Sequence, residues 1–244
     1  MPEVYPSVIY RRESSMKNAC FIPIKSNSER VLGKNFRVLN GKKLYEYIIT
    51  NAIEAQCFDD VYVDTNSEEI KKYANELGVK VIDREPRLAE NTANGNDLLV
   101  YQQELHPEYD YYFQLFATAP YLQPDSIRNC ANFMLNSEEF DSCFTAVPNH
   151  GFYWLNNLPV NYRPDVLPRS QDLVPVMEET TGMYGISSES LKKYKSRIGR
   201  KPYIYCVNKF EAVDINTEED LKMAEFVGKF YWGNCFYERR DNCK

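Results

Sequence analysis

Short apolar runs take turns along the chain with segments whose apolar residues recur every three or four positions, a pattern that predicts alternating strands and helices. Asn18 to Lys25 reads as a first strand, and Leu44, Ile48, Ala52 and Ile53 then mark one face of a helix. Val61-Tyr62-Val63 is a second strand, after which Ser67-Glu68-Glu69-Ile70 opens a helix with Tyr73, Ala74 and Leu77 facing inward. Gly78 is placed to end that helix. Val79 to Ile82 is a third strand and Asp97 to Leu105 a helix. Tyr111 to Phe116, nearly all apolar or aromatic, is a fourth strand that should be central and covered on both faces.

Strand and helix in such regular alternation predict a parallel sheet with right-handed crossovers, so the fold class is α/β with a Rossmann-like, mainly parallel sheet. The rhythm changes after the helix Asp125 to Leu135, whose inner face is Ile127, Cys130, Ala131 and Met134. Cys143 to Val147 is a strand, but 148–175 holds five prolines, several aromatic residues and no helical period, and it reads as an excursion from the sheet. Strands return at Gly182 to Ile186 and Tyr203 to Val207, with a helix near Ser188 to Lys195 between them. A last helix, with Leu221, Ala224 and Val227 inward, follows Asp214-Ile215-Asn216, and Asn216-Thr217-Glu218-Glu219 has the form of a capping arrangement. The expected organisation is an extension over 1–17, a single domain over 18–230 with 148–175 as a small protruding arm, and a tail over 231–244.

Composition changes the picture by exclusion. The 244 residues, 43% hydrophobic, suffice for a sizeable core. A formal charge of -6 removes any global pull toward nucleic acid or an anionic membrane, so basic residues must act locally. No apolar run approaches the ~20 residues of a membrane span. Seven cysteines, odd in number and without a Cys-x-x-Cys pair, together with the lack of a secretion signal, point to a reducing cytoplasm. His106 and His150 show no metal-ligand spacing.

Candidate chemistry concentrates behind the first strand. Phe21-Ile22-Pro23-Ile24-Lys25-Ser26-Asn27-Ser28-Glu29-Arg30-Val31-Leu32-Gly33-Lys34-Asn35 places Lys25, Arg30 and Lys34, with several hydrogen-bonding side chains, in one loop. Open α/β sheets bind ligands at the carboxyl ends of their strands, so these cations can converge on a polyphosphate. It is not a Walker loop, because Ser28 stands where the first glycine is needed and Asn35 follows Gly33-Lys34.

That stretch resembles the phosphate loop of the sugar-acid cytidylyltransferases, the family of the N-acylneuraminate and related nonulosonate enzymes, which runs roughly Ile-Pro-Ala-Arg-Gly-Gly-Ser-Lys-Gly-Ile-Pro-x-Lys-Asn. Aligned on Ile22-Pro23, Lys25 falls at the arginine, Ser28 at the serine and Lys34-Asn35 at the closing pair, while Glu29 stands at the second basic position and Arg30 one step later. Asp64-Thr65-Asn66-Ser67-Glu68-Glu69-Ile70 is similar to the family's Ser-Thr-Asp-x-Glu-Glu-Ile turn. Arg84-Glu85-Pro86-Arg87-Leu88-Ala89 and Thr92-Ala93-Asn94-Gly95 resemble Arg-Pro-x-Glu-Leu-Ala and Thr-Ala-Ser-Ser, with Gly95 in place of a serine. Phe116-Ala117-Thr118-Ala119-Pro120 resembles Gln-Pro-Thr-Ser-Pro, and Asp214-Ile215-Asn216 the family's Asp-Ile-Asp.

The resemblance implies a fold of the nucleotide-diphospho-sugar transferase type and a cytoplasmic enzyme that joins CTP to a small acidic sugar, giving a CMP-sugar and pyrophosphate. It implies nucleotide contacts from Lys25, Ser28, Asn35, Arg84, Asn94, Gly95 and Thr118, and catalytic roles for Lys25, Arg30 and Lys34. Mg²⁺ would be held by Asp214, with Asn216 either ligating or capping the last helix. Gln114 and Tyr184 would face the sugar, and Arg163, Arg169 and Gln171 have the forks and donors a carboxylate needs. The aromatic excursion resembles the segment through which relatives dimerise, so a homodimer is expected. Two alternatives stay open: a nucleotidyltransferase of the same fold with another triphosphate or acceptor, and a non-catalytic nucleotide-binding protein in which Glu29 and Asn216 mark a decayed site.

Overall fold

The structure is a computed structural model that describes residues 16–232 apart from 29 and 91; of the expected extension (1–17) and tail (231–244), all but 16, 17, 231 and 232 lie outside the described residues. In β1 (Asn18–Ile24), side chains alternate between two cores, Ala19 and Phe21 on one face, Cys20, Ile22 and Ile24 on the other. A 3-10 turn at Lys34–Phe36 leads into a small hairpin, β2 (Val38–Leu39) and β3 (Lys42–Lys43), and then α1 (Leu44–Ala55). The hairpin turns on Asn40-Gly41, both at positive φ, a pair suited to that conformation. There follow β4 (Asp60–Thr65), α2 (Glu68–Glu76), β5 (Lys80–Asp83), the short α3 (Pro86–Ala89), α4 (Gly95–Leu105) and β6 (Tyr111–Leu115). Ser67 caps α2 by accepting from the Ile70 amide, and Gly78 leaves that helix at φ 72°.

The second half comprises α5 (Pro124–Leu135), β7 (Ser142–Asn149), a minor hairpin of β8 (Trp154–Leu155) and β9 (Leu158–Pro159), then β10 (Val176–Ser187), α6 (Ser188–Tyr194), β11 (Pro202–Cys206) and α7 (Glu218–Val227). Seven strands form one sheet in the order β11-β7-β10-β6-β1-β4-β5, with β6 in the middle as its apolar sequence requires. β1 is parallel to β4 and β6, β4 to β5, and β7 to β11, whereas β10 runs antiparallel to both of its neighbours. The excursion explains that reversal. It supplies no crossover helix, so the chain returns beside the strand it left, pairing Val176 with Asn149 in a wide hairpin.

Helices α1, α2 and α5 bury Ile48, Ile49, Ile70, Ile127 and Met134 against one face of the sheet; α4 and α6 cover the other with Leu99 and Leu191. Each such buried side chain contributes ~2 kcal/mol of transfer free energy. A third cluster matters most for the site: Leu39 of the small hairpin and Leu44 pack with Ile215, Leu221, Ala224 and Val227, which docks α7 on the loop that follows β1. The N-cap of α7 is Thr217, which forms a capping box with Asp220; Asn216 therefore precedes the cap and is not it.

Candidate functional site

The loop after β1 and the segment before α7 meet at the carboxyl end of the sheet. Lys34 donates from Nζ to the Ile215 carbonyl at 2.8 Å, and Arg30 donates from Nη2 to Asn216 Oδ1 at 2.9 Å. Arg37 adds an ion pair to Glu218 at 2.9 Å. Asn35, buried, donates to the Lys25 carbonyl at 2.8 Å and so folds the loop on itself. Gly33 sits at φ 60°, the left-handed region, immediately before the 3-10 turn that carries Lys34. From the other side, the Ile215 amide donates to the Thr118 carbonyl at 2.9 Å, tying the Asp214 segment to the loop after β6.

Burial pushes the Lys34 ammonium below its ordinary value; Asp214 opposes the shift, while Arg30 and Lys25 add to it. The three cations and Asp214 therefore feel one another, which is what a polyphosphate and its counter-cation require. Asp214 Oδ2 accepts from Asn216 Nδ2 at 2.5 Å, but Asp214 Oδ1 is buried with no partner. An orphaned carboxylate oxygen in the neighbourhood of Lys34 fits a hard divalent ion, to which water and phosphate oxygens would supply the other ligands. Asn216 fits less directly, since its oxygen already accepts from Arg30. Among the described residues no three His, Cys, Asp or Glu side chains gather as a metal site, so the protein would contribute little beyond Asp214.

Around this centre stand the other residues expected from sequence. Arg84 is buried and locked to Asp64, through Nε to Oδ1 at 2.8 Å and Nη2 to the Asp64 carbonyl at 2.8 Å, while Gln102 donates to Asp64 Oδ2 at 2.7 Å. Its guanidinium thus braces the ends of β4 and β5. Asn94 caps α4, its Oδ1 accepting from the amides of Asn96 and Asp97. Gln114, fully buried, donates to the Gly95 carbonyl at 3.2 Å and leaves its own Oε1 without a partner. Ser28 is half-buried in the basic loop.

β10 makes a bulge between Glu179 and Tyr184, opposite Thr145 of β7, whose hydroxyl lies 2.6 Å from that of Thr180. The irregularity brings the Tyr184 hydroxyl back onto Glu179 at 2.5 Å. Burial pushes the Tyr184 phenol up, the bond to Glu179 adds to that, and the nearby Arg197 opposes it. Arg197 is the residue that sequence reasoning missed: its guanidinium carbon lies 3.6 Å from the Tyr184 ring centroid. Nothing in the spacing of Ser196-Arg197-Ile198-Gly199-Arg200-Lys201 sets it apart from other surface cations; the glycine at 95 was the available signal.

The arm residues are not drawn into this constellation. Arg163 pairs with Asp165 and Arg169 with Asp172, and Gln171 is exposed.

Residues 19–238 match the family model described as Cytidylyltransferase. The chain is 27% identical over 223 residues to N-acylneuraminate cytidylyltransferase A of Danio rerio, covering 88% of this chain and 51% of that protein. It is 28% identical over 233 residues to pseudaminic acid cytidylyltransferase of Campylobacter jejuni, covering 88% and 97%. The chain thus spans about half the length of the animal relatives and nearly all of the Campylobacter one. Among solved structures, CMP:2-keto-3-deoxy-manno-octonic acid synthetase complexed with CTP superposes with a TM-score of 0.63 at 16% identity, over 86% of this chain and 98% of that one. A 4-diphosphocytidyl-2C-methyl-D-erythritol synthase from Anaerococcus prevotii gives 0.61 at 11% identity, over 86% and 95%. These two likenesses are of fold.

Proposed function

The chain belongs to the cytidylyltransferase family, and on that premise we propose that it transfers the cytidylyl group of CTP to a hydroxyl of a sugar acid. The acceptor oxygen bonds to the α-phosphorus and gives up its proton to solvent, the bond from that phosphorus to the bridging oxygen breaks, and pyrophosphate leaves. The observation that carries the reading is the junction of Lys34 with the Ile215 carbonyl beside an Asp214 oxygen that has no partner.

Displacement at phosphorus leaves the protein mainly positioning and charge neutralisation to perform. Lys25, Arg30 and Lys34 hold the β and γ oxygens, with Ser28 and loop amides as donors. Asn35 keeps that loop in shape, and Arg84, Asn94, Gly95 and Thr118 border the cytidine. A divalent cation, Mg²⁺ in this reading, would sit on Asp214 and neutralise phosphate charge. Asn216 reaches it only if Arg30 transfers from the amide to a phosphate, which exchanges one anchor for another. Gln114 and Tyr184 face the acceptor. Arg163, Arg169 and Gln171 can serve a carboxylate only from an arm placed against a pocket, and a second copy of the chain is the source of such a pocket.

The arm exposes Trp154, Leu155, Leu158, Val166, Leu167 and Val174, apolar surface that a homodimer would cover. No described helix is long and apolar enough to cross a membrane, and no disulfide joins the described cysteines, which supports a cytoplasmic setting. The test is pyrophosphate release from each nucleoside triphosphate with Mg²⁺ and a panel of sugar acids. CTP-dependent release with an acid is expected; preference for UTP would move the reading to another nucleotidyltransferase, and no release with any pair would leave a nucleotide-binding protein without this chemistry.

A further inference from the structure

Arg197 occupies a place made for it. A Cβ on Gly95 would stand 2.7 Å from Arg197 Nη1 and 3.3 Å from Gln114 Oε1, so any larger residue at 95 would force the guanidinium to move. Where the family motif carries a serine, this chain carries the one residue that admits the arginine. The guanidinium lies on the Tyr184 ring, 3.6 Å from its centroid, and 5.5 Å from that of Phe116. Arg197 Nη2 forms an ion pair with Glu179 Oε1 at 3.6 Å, too long for a hydrogen bond, and that oxygen already accepts from the Tyr184 hydroxyl. Among the described residues the Arg197 guanidinium has no hydrogen-bond partner, although the side chain is only 23% exposed.

The backbone beneath it is fixed. The Arg197 amide donates to Asn96 Oδ1 at 2.9 Å in the first turn of α4. Two residues on, the Gly199 amide donates to Ser142 Oγ, and those of Arg200 and Lys201 donate to the two oxygens of Asp141 at 2.8 and 2.9 Å. A cation held on a rigid loop, flat on an aromatic ring and short of acceptors is arranged for a ligand. Beside it, the buried Gln114 Oε1 lacks a donor. The loop after β6 joins the cluster to the proposed reaction centre: Phe116, under the guanidinium, stands two residues before Thr118, whose carbonyl accepts from the Ile215 amide next to Asp214.

We propose that Arg197, seated over Tyr184 by the absence of a side chain at Gly95, is a specificity-determining residue that grips the carboxylate of the acceptor. A planar fork with free donors matches a carboxylate in two-point fashion. The proposal rests on the cytidylyl-transfer reading and adds to it the residue that selects acids.

The test uses the full chain, with CTP and N-acetylneuraminate, 2-keto-3-deoxy-manno-octonate, pseudaminate and their methyl esters. With whichever acid the unaltered protein uses, Arg197→Gln should raise the acid's KM about 30-fold, leave the CTP KM within about twofold and abolish most of the preference for acid over ester. Gly95→Ser should also displace the guanidinium; because Gly95 borders the cytidine, it is read at saturating CTP and only on the preference for acid over ester, which it should lower as Arg197→Gln does, with no further loss when the two are combined. Turnover in which Arg197→Gln leaves the acid's KM within about twofold, or depresses acid and ester alike, overturns the assignment and leaves cytidylyl transfer standing. If the unaltered protein turns over no acid with CTP, the transfer reading falls and this assignment falls with it.

Discussion

Arg30, Lys34 and Arg37, on the loop after β1, reach partners 181 to 186 positions away in sequence; Arg163 and Arg169, on the arm, close on aspartates two and three positions along. In sequence both loops set arginines among polar residues, without prolines in the first (25–37) and with four in the second (150–175). One is held by the packing of α7 on the small hairpin, which fixes where its charges lie. The other satisfies its charges within its own turns. A cation placed by long-range packing is held where a ligand would arrive, whereas one paired within its own exposed turn is placed by that turn alone.

Breaking the long-range set should have the largest effect. Lys34→Ala and Asp214→Asn should each reduce kcat by about 10²–10³-fold, as loss of a preorganised charge-stabilising group does elsewhere. Asp214→Asn should in addition weaken the response to Mg²⁺ titration. A variant of either kind that keeps more than about a tenth of the parent kcat would show that this junction braces the fold and does not handle phosphate.

A third loop sharpens the contrast, because one carboxylate orders it. Burial pushes Asp141 up, but amides of Arg200 and Lys201 and the hydroxyls of Ser142 and Ser190 outweigh that and hold it below its ordinary value. A carboxylate depressed in the folded state stabilises fully above its unfolded pKa and loses that contribution as pH falls through the folded value. Asp141→Asn should therefore lower stability by about 2 kcal/mol at neutral pH. In denaturant titrations the difference from the parent should shrink below about pH 4, where the parent carboxylate is also protonated. A gap that stays constant down to pH 2 would assign the effect to shape and not to charge.

Arg30→Gln comes next. Its bond to Asn216 is exposed and charge-assisted, so about a tenfold loss in kcat/KM for CTP is expected, with kcat changing less than in Lys34→Ala. Equal losses in the two variants would make Arg30 a full partner of Lys34.

The parts legible in sequence were those that local pattern determines. The central place of Tyr111 to Leu115, the cap at Ser67 and the helix end at Gly78 follow from apolar runs and single-residue chemistry. The Asn40-Gly41 hairpin is equally written in its turn residues, whereas the reversal of β10 is not: the missing helical period in 148–175 marks an excursion without fixing that the chain returns beside β7. By residue type Asn216 is at least as good a cap as Thr217; register decides for Thr217, whose hydroxyl accepts from the Asp220 amide. Arg197 could not be found by pattern at all. Its importance comes from three elements, α4, β10 and the turn before β11, meeting at one glycine, and only packing reports that.

The smallest effects are expected on the arm, and they decide where the acceptor's carboxylate is held. Arg163 and Arg169 are exposed and each pairs within its own turn, so Arg163→Gln and Arg169→Gln should change stability by less than about 0.5 kcal/mol. If the carboxylate is gripped by Arg197, the acid's KM should stay within about twofold in both arm variants. If instead the arm of one copy completes the pocket of another, either variant should raise that KM about tenfold, and the rise should depend on protein concentration through the dimer equilibrium. Sedimentation of the parent separates the two cases: a chain that stays monomeric at micromolar concentration while turning over its acid has no second arm to call on, and the carboxylate must then be met by side chains of the body.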